Sequence, residues 1–172
     1  MTRAGTCILG IDPGVGGAMA LFNPATGGIS VHDFDTYKKD GSGKRRLDLY
    51  QLAATFEILA DLIRVVYLEQ VGSMPRQGIS SAFAFGQTYG AIQMAIASAG
   101  LSLVEVPPSV WKRATRCPKD KDGARARASS VFPKHAHEWA LKSQDGRAEA
   151  ALIAWYGQGH LTLHGHGPGH GQ

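Results

Sequence analysis

Short apolar runs separated by turn residues characterise the first 34 residues of the chain. Residues 7–11 form a β-prone apolar run, residues 17–22 form a second, and residues 29–34 alternate between apolar and polar side chains. The segments between these runs are rich in Pro, Gly and Asn, which is typical of tight turns. The pattern predicts three consecutive antiparallel strands, and it places Asp12 directly after the first buried strand.

A carboxylate at the end of a buried strand has two interpretations. Asp12 is followed by Pro13, Gly14, Gly16 and Gly17, so the chain turns sharply just after the acid. In one interpretation, the side chain of Asp12 caps this turn. In the other it is a metal ligand, because burying an ionised carboxylate costs several kcal/mol unless a positive charge compensates it. The second interpretation requires partner ligands elsewhere in the chain.

A helical period replaces the strand pattern after Asp48. Apolar residues recur there at helical spacing up to about Ile63, so we expect a helix that Asp48 caps. The β-branched run 64–68 then ends at Glu69, which repeats the arrangement of the first strand and Asp12. A helix between two such strands implies a right-handed crossover, which makes the strands parallel. If they are neighbours, about 4.8 Å apart, the two carboxylates lie side by side.

The second half of the chain adds one more strand and further helices. Residues 80–99 are rich in Ala and predict a long helix, whose small residues suit either packing within the chain or a dimer interface. Residues 101–106 predict a fifth strand, and Pro107 and Pro108 open a short helix. Together these elements predict an α/β fold with a mixed five-stranded sheet, in which three antiparallel strands are followed by parallel ones, with helices on both faces.

The composition sets the size of the molecule. With 172 residues, 44% of them hydrophobic, the chain is long enough for one well-buried core and short for two. We therefore expect one domain over residues 1–157. Residues 158–172 are rich in Gly and His without apolar periodicity, so we expect a flexible tail with at most adventitious metal affinity.

Two features bear on the cellular compartment. The only cysteines, Cys7 and Cys117, lie far apart, which excludes a CxxC-type zinc site and a disulfide framework. No apolar run approaches the roughly 20 residues of a membrane span, and no signal peptide precedes the first strand. We therefore expect a soluble cytoplasmic protein without a membrane partner.

Basic residues concentrate in two segments, although the net charge is only +4. Residues 37–46 form a Gly- and Ser-containing loop with five Lys or Arg, which suits either a solvated loop or an arm that contacts phosphates. Residues 112–134 carry eight Lys or Arg against two Asp. Such a run is often only a solvated surface, but this density beside an acidic site favours a phosphate-bearing partner.

The last predicted helix carries two more acids. Asp145 and Glu149 are four residues apart near the start of a helix expected over residues 143–156, so both side chains project from one face. Acids in a first turn commonly do no more than complement the helix dipole. The rest of this helix is so apolar that it must be largely buried, and its acidic face must point towards something.

Together, Asp12, Glu69, Asp145 and Glu149 form a ligand set that offers only oxygen. Carboxylates without His or Cys companions suit Mg²⁺ or Mn²⁺ better than Zn²⁺. Such a site can hold two ions about 4 Å apart, which would activate a water and stabilise the leaving oxygen of an in-line phosphoryl displacement. Nearby Lys and Arg would position the phosphate backbone.

Four motifs resemble, in order and spacing, those of the RuvC-like Holliday-junction resolvases, which have the RNase H-like fold. The resemblance covers roughly residues 6–157 and implies a homodimeric crossover junction endodeoxyribonuclease. Such an enzyme uses Mg²⁺, with Mn²⁺ as a substitute, to make paired symmetric nicks in a four-way DNA junction. The motifs are Gly10-Ile11-Asp12-Pro13-Gly14, Leu68-Glu69-Gln70-Val71, Phe85-Gly86-Gln87-Thr88-Tyr89-Gly90 and Asp145-Gly146-Arg147-Ala148-Glu149-Ala150.

The resemblance also implies roles for individual residues. The catalytic carboxylates of the family fall on Asp12, Glu69, Asp145 and Glu149, which would also be the metal ligands, and its catalytic basic residues fall on Lys112 and Lys121. The residues expected to contact DNA are Lys44, Arg45, Arg46, Met74, Arg76, Lys112, Arg113, Lys119, Lys121 and Arg125.

The chain departs from the family pattern in two places. RuvC usually ends its last motif with aspartates three residues apart, whereas here the acids are four apart and the second is Glu149. RuvC also has an aromatic residue at the junction centre soon after its second acid, where this chain has Gly72-Ser73-Met74. Met74 or Arg76 becomes the candidate wedge. The chain resembles the phage and bacterial branch of the family. Because chloroplast resolvases share similar motifs, an organellar location stays open. A branch-migration helicase as a partner also stays open.

Three other functions are consistent with parts of this pattern. Sugar kinases and actin-like ATPases bind phosphates on a similar strand turn, but they need two such domains. A non-catalytic junction-binding protein would tolerate loss of one of the acids, and none is missing. A nuclease of the same fold that acts on flaps, other branched DNA or RNA–DNA hybrids stays open, because a fold does not determine its substrate.

Overall fold

The computed structural model describes residues 5–38, 43, 45–72 and 78–164. Two short 3-10 helices, Pro133–Trp139 and Lys142–Gln144, precede the last α-helix. Within these residues, the strands and α-helices in chain order are β1 (Cys7–Asp12), β2 (Ala18–Asn23), β3 (Gly28–Asp33), β4 (Thr36–Lys38), β5 (Arg45–Leu47), α1 (Leu49–Leu59), β6 (Ile63–Glu69), α2 (Ile79–Ser98), β7 (Leu103–Val106), α3 (Pro108–Thr115), α4 (Lys121–Val131) and α5 (Asp145–His164).

Five of the strands form one mixed sheet in the order β3-β2-β1-β6-β7. β1 pairs antiparallel with β2, and β2 pairs antiparallel with β3. β6 pairs parallel with β1 on one side and with β7 on the other. The prediction of three antiparallel strands followed by parallel ones is therefore confirmed, and the two strands that end in acids are direct neighbours.

Side chains on the two faces of the sheet pack into two separate hydrophobic cores. Ile8 of β1 and Tyr67 of β6 belong to a core that includes residues of α3, α4 and α5. Leu9 of β1 and Val66 of β6 belong to a second core with residues of α1 and α2. Because adjacent residues of a strand point to opposite faces, the continuous apolar runs of β1 and β6 are those of strands covered on both sides.

Helix α5 lies unusually close to the sheet at β1. A Cβ atom built on Gly10 would lie 2.3 Å from both the carbonyl oxygen of Ala150 and the backbone nitrogen of Ala154. The alanines of this helix are fully buried, which keeps the helix surface thin where it meets the strand. The small residues in α5 and β1 thus determine how deeply the helix can seat.

Two segments are more regular than the sequence pattern predicted. The segment expected as a flexible loop contains the antiparallel hairpin of β4 and β5, in which Tyr37 pairs with Arg46. The basic segment contains α4, which the side chain of Asp120 caps by accepting from the backbone N–H of Gly123 at 2.7 Å. The buried residues of this helix are Ala124 and Ala128. Two small alanines among charged residues do not make a recognisable apolar period, so the sequence pattern did not predict the helix.

The last helix is longer than the sequence pattern predicted. Helix α5 continues to His164, so residues 158–164 are helical, while residues 165–172 lie outside the described part of the chain. The extension contacts β6 through His160, whose Nδ1 is 3.0 Å from the Tyr67 hydroxyl, and just before it a Cβ on Gly157 would lie 2.6 Å from the Tyr67 ring. These contacts with a distant strand stabilise a segment whose own sequence has no apolar period.

Other boundaries differ by a few residues. Asp48 caps α1 as predicted, accepting from the backbone N–H groups of Tyr50 and Gln51. The helix ends at Leu59 rather than near Ile63, because Ile63 is already buried as the first residue of β6. Among the described residues, no helix combines the length and the hydropathy that crossing a bilayer would require.

Candidate metal centre

The carboxyl ends of β1 and β6 place two acids next to each other. Ile11 is in register with Leu68, so Asp12 and Glu69 follow at the same edge of the sheet. The chain leaves β1 through a tight turn in which Gly17 donates its N–H to the carbonyl of Gly14 at 3.1 Å. The turn requires glycine at position 17, where a Cβ would lie 2.1 Å from the carbonyl oxygen of Asp12.

The start of α5 brings the acids of the last helix to the same edge. A Cβ on Gly146 would lie 2.9 Å from Oδ2 of Asp12, so the first turn of the helix contacts this carboxylate directly. One turn later, Glu149 points towards the strand ends. Asp12, Glu69 and Glu149 each place one carboxylate oxygen within 4.8 Å of the others. Three of the four predicted acids thus converge.

Asp145 lies at the margin of this group. It is outside the set of three, and its Oδ2 is 2.5 Å from Nζ of Lys121, whose side chain is 78% exposed. Its negative charge is nevertheless close enough to raise the pKa of Asp12. Asp145 therefore faces the exposed side of the centre, and it is joined there to the basic segment at the start of α4.

Two consecutive residues of helix α3 bond to the acids. Trp111 donates its indole N–H to Oε1 of Glu69 at 3.1 Å, and Nζ of Lys112 is 2.7 Å from Oε1 of Glu149. The Lys112 ammonium also lies 5.1 Å from the centroid of the Trp111 ring. Lys112 was predicted from the family resemblance, whereas no local pattern predicted a role for Trp111 beyond the short helix.

The electrostatics of the centre oppose full ionisation. Burial raises the pKa of Asp12 well above its usual range, and the charges of Glu149, Glu69 and Asp145 raise it further. Burial also raises the pKa of Glu69, although the hydrogen bond from Trp111 acts in the opposite direction. For Lys112, burial lowers the pKa, but the hydrogen bond and charge of Glu149 outweigh it and leave the pKa raised.

The donor set fits a divalent cation. The converging ligand atoms are all carboxylate oxygens, which suit hard cations such as Mg²⁺ and Mn²⁺. A cation among them would replace repulsion between like charges with attraction, and so would favour the ionised acids. Asp12, Glu69 and Glu149 are the residues that would hold such an ion, with Asp145 beside them.

The residues predicted to contact DNA occupy different environments. Arg45 and Arg46 are exposed on β5, where Arg46 also donates to Oε1 of Gln87 at 3.2 Å. Arg113 and Lys119 line an open cavity of about 540 Å³ together with Lys112. Lys44, Met74 and Arg76 lie outside the described residues.

Arg125 is engaged within the protein. Its guanidinium pairs with Asp122 and donates to the carbonyl of Ala140 at 2.9 Å, and its side chain is only 16% exposed. These contacts join α4 to the segment that leads into α5. In this conformation Arg125 presents little surface to a ligand.

Comparison with known proteins gave matches of structure but not of sequence. No protein-family model matches the chain, and no curated protein matches it by sequence. Thermus thermophilus RuvC, solved in complex with a Holliday junction substrate, is similar with a TM-score of 0.58 and 17% identity over 93% of this chain and 96% of that one.

Two further solved structures extend this likeness. The yeast mitochondrial Holliday junction resolvase Ydc2 gives a TM-score of 0.53 and 14% identity over 95% of this chain and 83% of that one. The fowlpox virus Holliday junction resolvase gives a TM-score of 0.51 and 14% identity over 91% of this chain and 98% of that one. Identities this low establish the fold alone. The chain has the RuvC-like resolvase fold, an α/β fold of the RNase H-like type.

Proposed function

We propose that this chain is a metal-dependent endonuclease that resolves four-way DNA junctions. The observation that carries the proposal is the convergence of Asp12, Glu69 and Glu149 within 4.8 Å at the carboxyl ends of two parallel strands of a RuvC-like fold. Solved proteins that share this fold include resolvases, and one of them is in complex with a Holliday junction substrate. The substrate class is carried over from them.

The chemistry follows from what the side chains can do. Asp12, Glu69 and Glu149 would hold the metal through oxygen atoms, and Asp145 would complete the set when Lys121 releases it. Bound Mg²⁺, most simply as two ions, would activate a water and stabilise the leaving oxygen during in-line hydrolysis of a phosphodiester. Lys112 keeps a positive charge beside Glu149, where it can contact a non-bridging phosphate oxygen.

Basic side chains around the centre would hold the DNA backbone. Lys121 is largely exposed next to Asp145, and Arg113 and Lys119 line the same open cavity as Lys112. Arg45 and Arg46 offer a second group on the β4–β5 hairpin. Neutralising phosphates with such residues releases counterions, so binding to DNA should weaken as salt concentration rises.

A homodimer would place two such centres on one junction. Helix α2 exposes an apolar stripe, with Ile79, Phe83 and Met94 being 91%, 67% and 65% exposed. Gly86 and Gly90 lie on the same stripe, and a Cβ atom on either would meet no neighbouring segment within 4 Å among the described residues. Large exposed apolar residues beside small ones suit close packing with a second helix. Phe83→Asp should therefore reduce the mass measured by light scattering from two chains to one.

The test of the proposed function is cleavage of matched substrates by the purified protein. A four-way junction, a linear duplex, a flap and an RNA–DNA hybrid are each incubated with Mg²⁺ or with EDTA, and nicks are mapped on every strand. Paired symmetric nicks on the junction that require Mg²⁺ are the expected result. Preference for the flap or the hybrid would overturn the junction assignment, and tight junction binding without cleavage would overturn the enzymatic one.

A further inference from the structure

One core tryptophan directs its indole N–H to a candidate metal ligand. Trp111 is fully buried, and its indole N–H donates to Oε1 of Glu69. An indole can only donate, and a buried indole N–H usually has one partner. In Trp111 that single donor is spent on a carboxylate of the acidic group.

This bond gives the two carboxylate oxygens of Glu69 different roles. Oε1 accepts from the indole, and no hydrogen bond from the described residues reaches Oε2, so Oε2 can bind a cation. The bond also stops rotation of the carboxylate, because the ring that donates it is enclosed on all sides in the core. Residues that bond to metal ligands in this way orient the ligand and increase its affinity for the ion.

The neighbouring residue couples this arrangement to the last helix. Lys112 follows Trp111 on α3, bonds to Glu149 of α5, and lies over the Trp111 ring. One short helix therefore holds an acid of β6 and an acid of α5 at a defined separation. The indole is the part of this arrangement that carries no charge, so it can stay in place when a cation enters.

We propose that Trp111 is a positioning residue, which holds Glu69 in the orientation that binds the divalent metal. The proposal rests on the proposed function only in taking the three carboxylates as the metal site. It assigns Trp111 no contact with DNA or with the reacting phosphate.

The chain offers a matched control for the test. Trp139 is also almost fully buried in the same core, and its indole N–H donates to Oγ of Ser129 at 2.9 Å. Trp111→Phe and Trp139→Phe each remove one indole N–H and the same ring volume from the core. They differ in the partner that loses its donor, which is a carboxylate of the acidic group in one case and a hydroxyl in the other.

The experiment measures Mn²⁺ binding by calorimetry without DNA, together with the thermal unfolding of each variant in EDTA. We expect Trp111→Phe to weaken Mn²⁺ binding by about 10- to 100-fold, as is typical for loss of a bond to a metal ligand, and Trp139→Phe to bind like the wild type. Junction cleavage by Trp111→Phe should then need a correspondingly higher Mg²⁺ concentration for half-maximal rate.

A second variant separates the lost hydrogen bond from altered packing. Replacing Trp111 by 3-benzothienylalanine keeps the two fused rings and puts sulfur in place of the N–H. The same loss of Mn²⁺ affinity is expected there. Wild-type affinity in either folded Trp111 variant, or equal losses for Trp111→Phe and Trp139→Phe, would overturn the proposal while leaving the metal site intact. Absence of Mn²⁺ binding by the wild type would overturn the metal site itself.

Discussion

The layer formed by β1, β6 and α5 has an apolar end and an acidic end, and the same three elements build both. At one end, Gly157 of α5 lies against Tyr67 and Ile8, and the contacts are apolar or aromatic apart from the hydrogen bond between the Tyr67 hydroxyl and His160. At the other end, the same helix and strands bring Asp12 and Glu149 together. Helix α5 runs antiparallel to β1, so its first turn meets the acids and its later turns meet the apolar end.

The apolar end of this layer stabilises the fold, whereas the acidic end carries the candidate metal ligands. The apolar end and the deep seating of α5 on β1 fix where the helix lies. That position then determines how close the acids come, although their burial and mutual repulsion disfavour the ionised state. The acidic end is therefore held together by packing elsewhere and by the bonds from Trp111 and Lys112, and a bound cation would turn its repulsion into stabilisation.

The largest expected effect is on activity at the acidic end. Glu69→Gln keeps an oxygen that can accept from Trp111 but removes the charge that a cation requires. We expect the rate of junction cleavage in Mg²⁺ to fall by more than about 100-fold, beyond what loss of a bond to a ligand costs. Glu57→Gln, on the exposed face of α1, is the matched control and should cleave at the wild-type rate. Full activity of Glu69→Gln would remove Glu69 from the site.

The next effect concerns the apolar end. Gly157→Ala forces a methyl group into the ring of Tyr67, and we expect the free energy of unfolding in urea to fall by about 1–3 kcal/mol. Gly159→Ala is two residues away on the same helix, has open space around its Cβ, and should gain about 0.5–1 kcal/mol from helix propensity. Equal stabilities for the two variants would mean that α5 does not pack on β6 in this way.

Removing a charge from the acidic end should stabilise the metal-free protein. Because the pKa of Asp12 is raised in the folded state, the folded protein binds protons more tightly than the unfolded chain, and stability falls as pH rises through that pKa. We expect Asp12→Asn to raise the free energy of unfolding in EDTA at pH 7 by about 1 kcal/mol. Mg²⁺ should stabilise the wild type but not the variant. Lower stability of Asp12→Asn in EDTA would contradict this account.

The smallest effect is expected at the ion pair that fastens the acidic end of α5 to β3. Arg147 donates to both oxygens of Asp33 at 2.8 and 2.7 Å, and this hydrogen bonding holds the pKa of Asp33 below its usual range. The stabilisation is present above the ordinary pKa and is lost as pH falls through the lowered one. Since Asp33 is 55% exposed, Asp33→Asn should cost less than about 1 kcal/mol at pH 7.

Acid unfolding provides the measurement for this pair. The difference between the wild type and Asp33→Asn should disappear at low pH, where Asp33 is protonated in both states. Asp35→Asn, an exposed neighbour, serves as the control and should follow the wild type throughout. A difference that stays constant down to the lowest pH would assign the effect to packing rather than to charge.

The local sequence pattern predicts the sheet and its acids well. A buried run that ends in an acid occurs twice, at Asp12 and at Glu69, and the helix between the two strands makes them parallel. The pattern also predicts the cap at Asp48 and the shared face of Asp145 and Glu149. These features depend on residues a few positions apart, which is the range over which periodicity carries information.

The rest depends on contacts between distant segments. The bond from Trp111 to Glu69 joins residues 42 positions apart, and nothing near either residue encodes it. The helical extension to His164 contacts Tyr67 of a distant strand, and Asp145, which lies outside the group of three acids, pairs with Lys121 of another helix. The division of the four acids into a group of three and a lysine-paired fourth is therefore a result of tertiary structure.

Calorimetric titration with Mn²⁺ is the decisive test of whether the acids at the carboxyl ends of β1 and β6 and at the start of α5 bind a divalent metal. The wild type and the double variant Asp12→Asn/Glu69→Gln are compared at neutral pH without DNA, after circular dichroism has established that both are folded. We expect saturable Mn²⁺ binding by the wild type and its loss in the double variant. Equal binding by both proteins, or none by the wild type, would contradict this expectation.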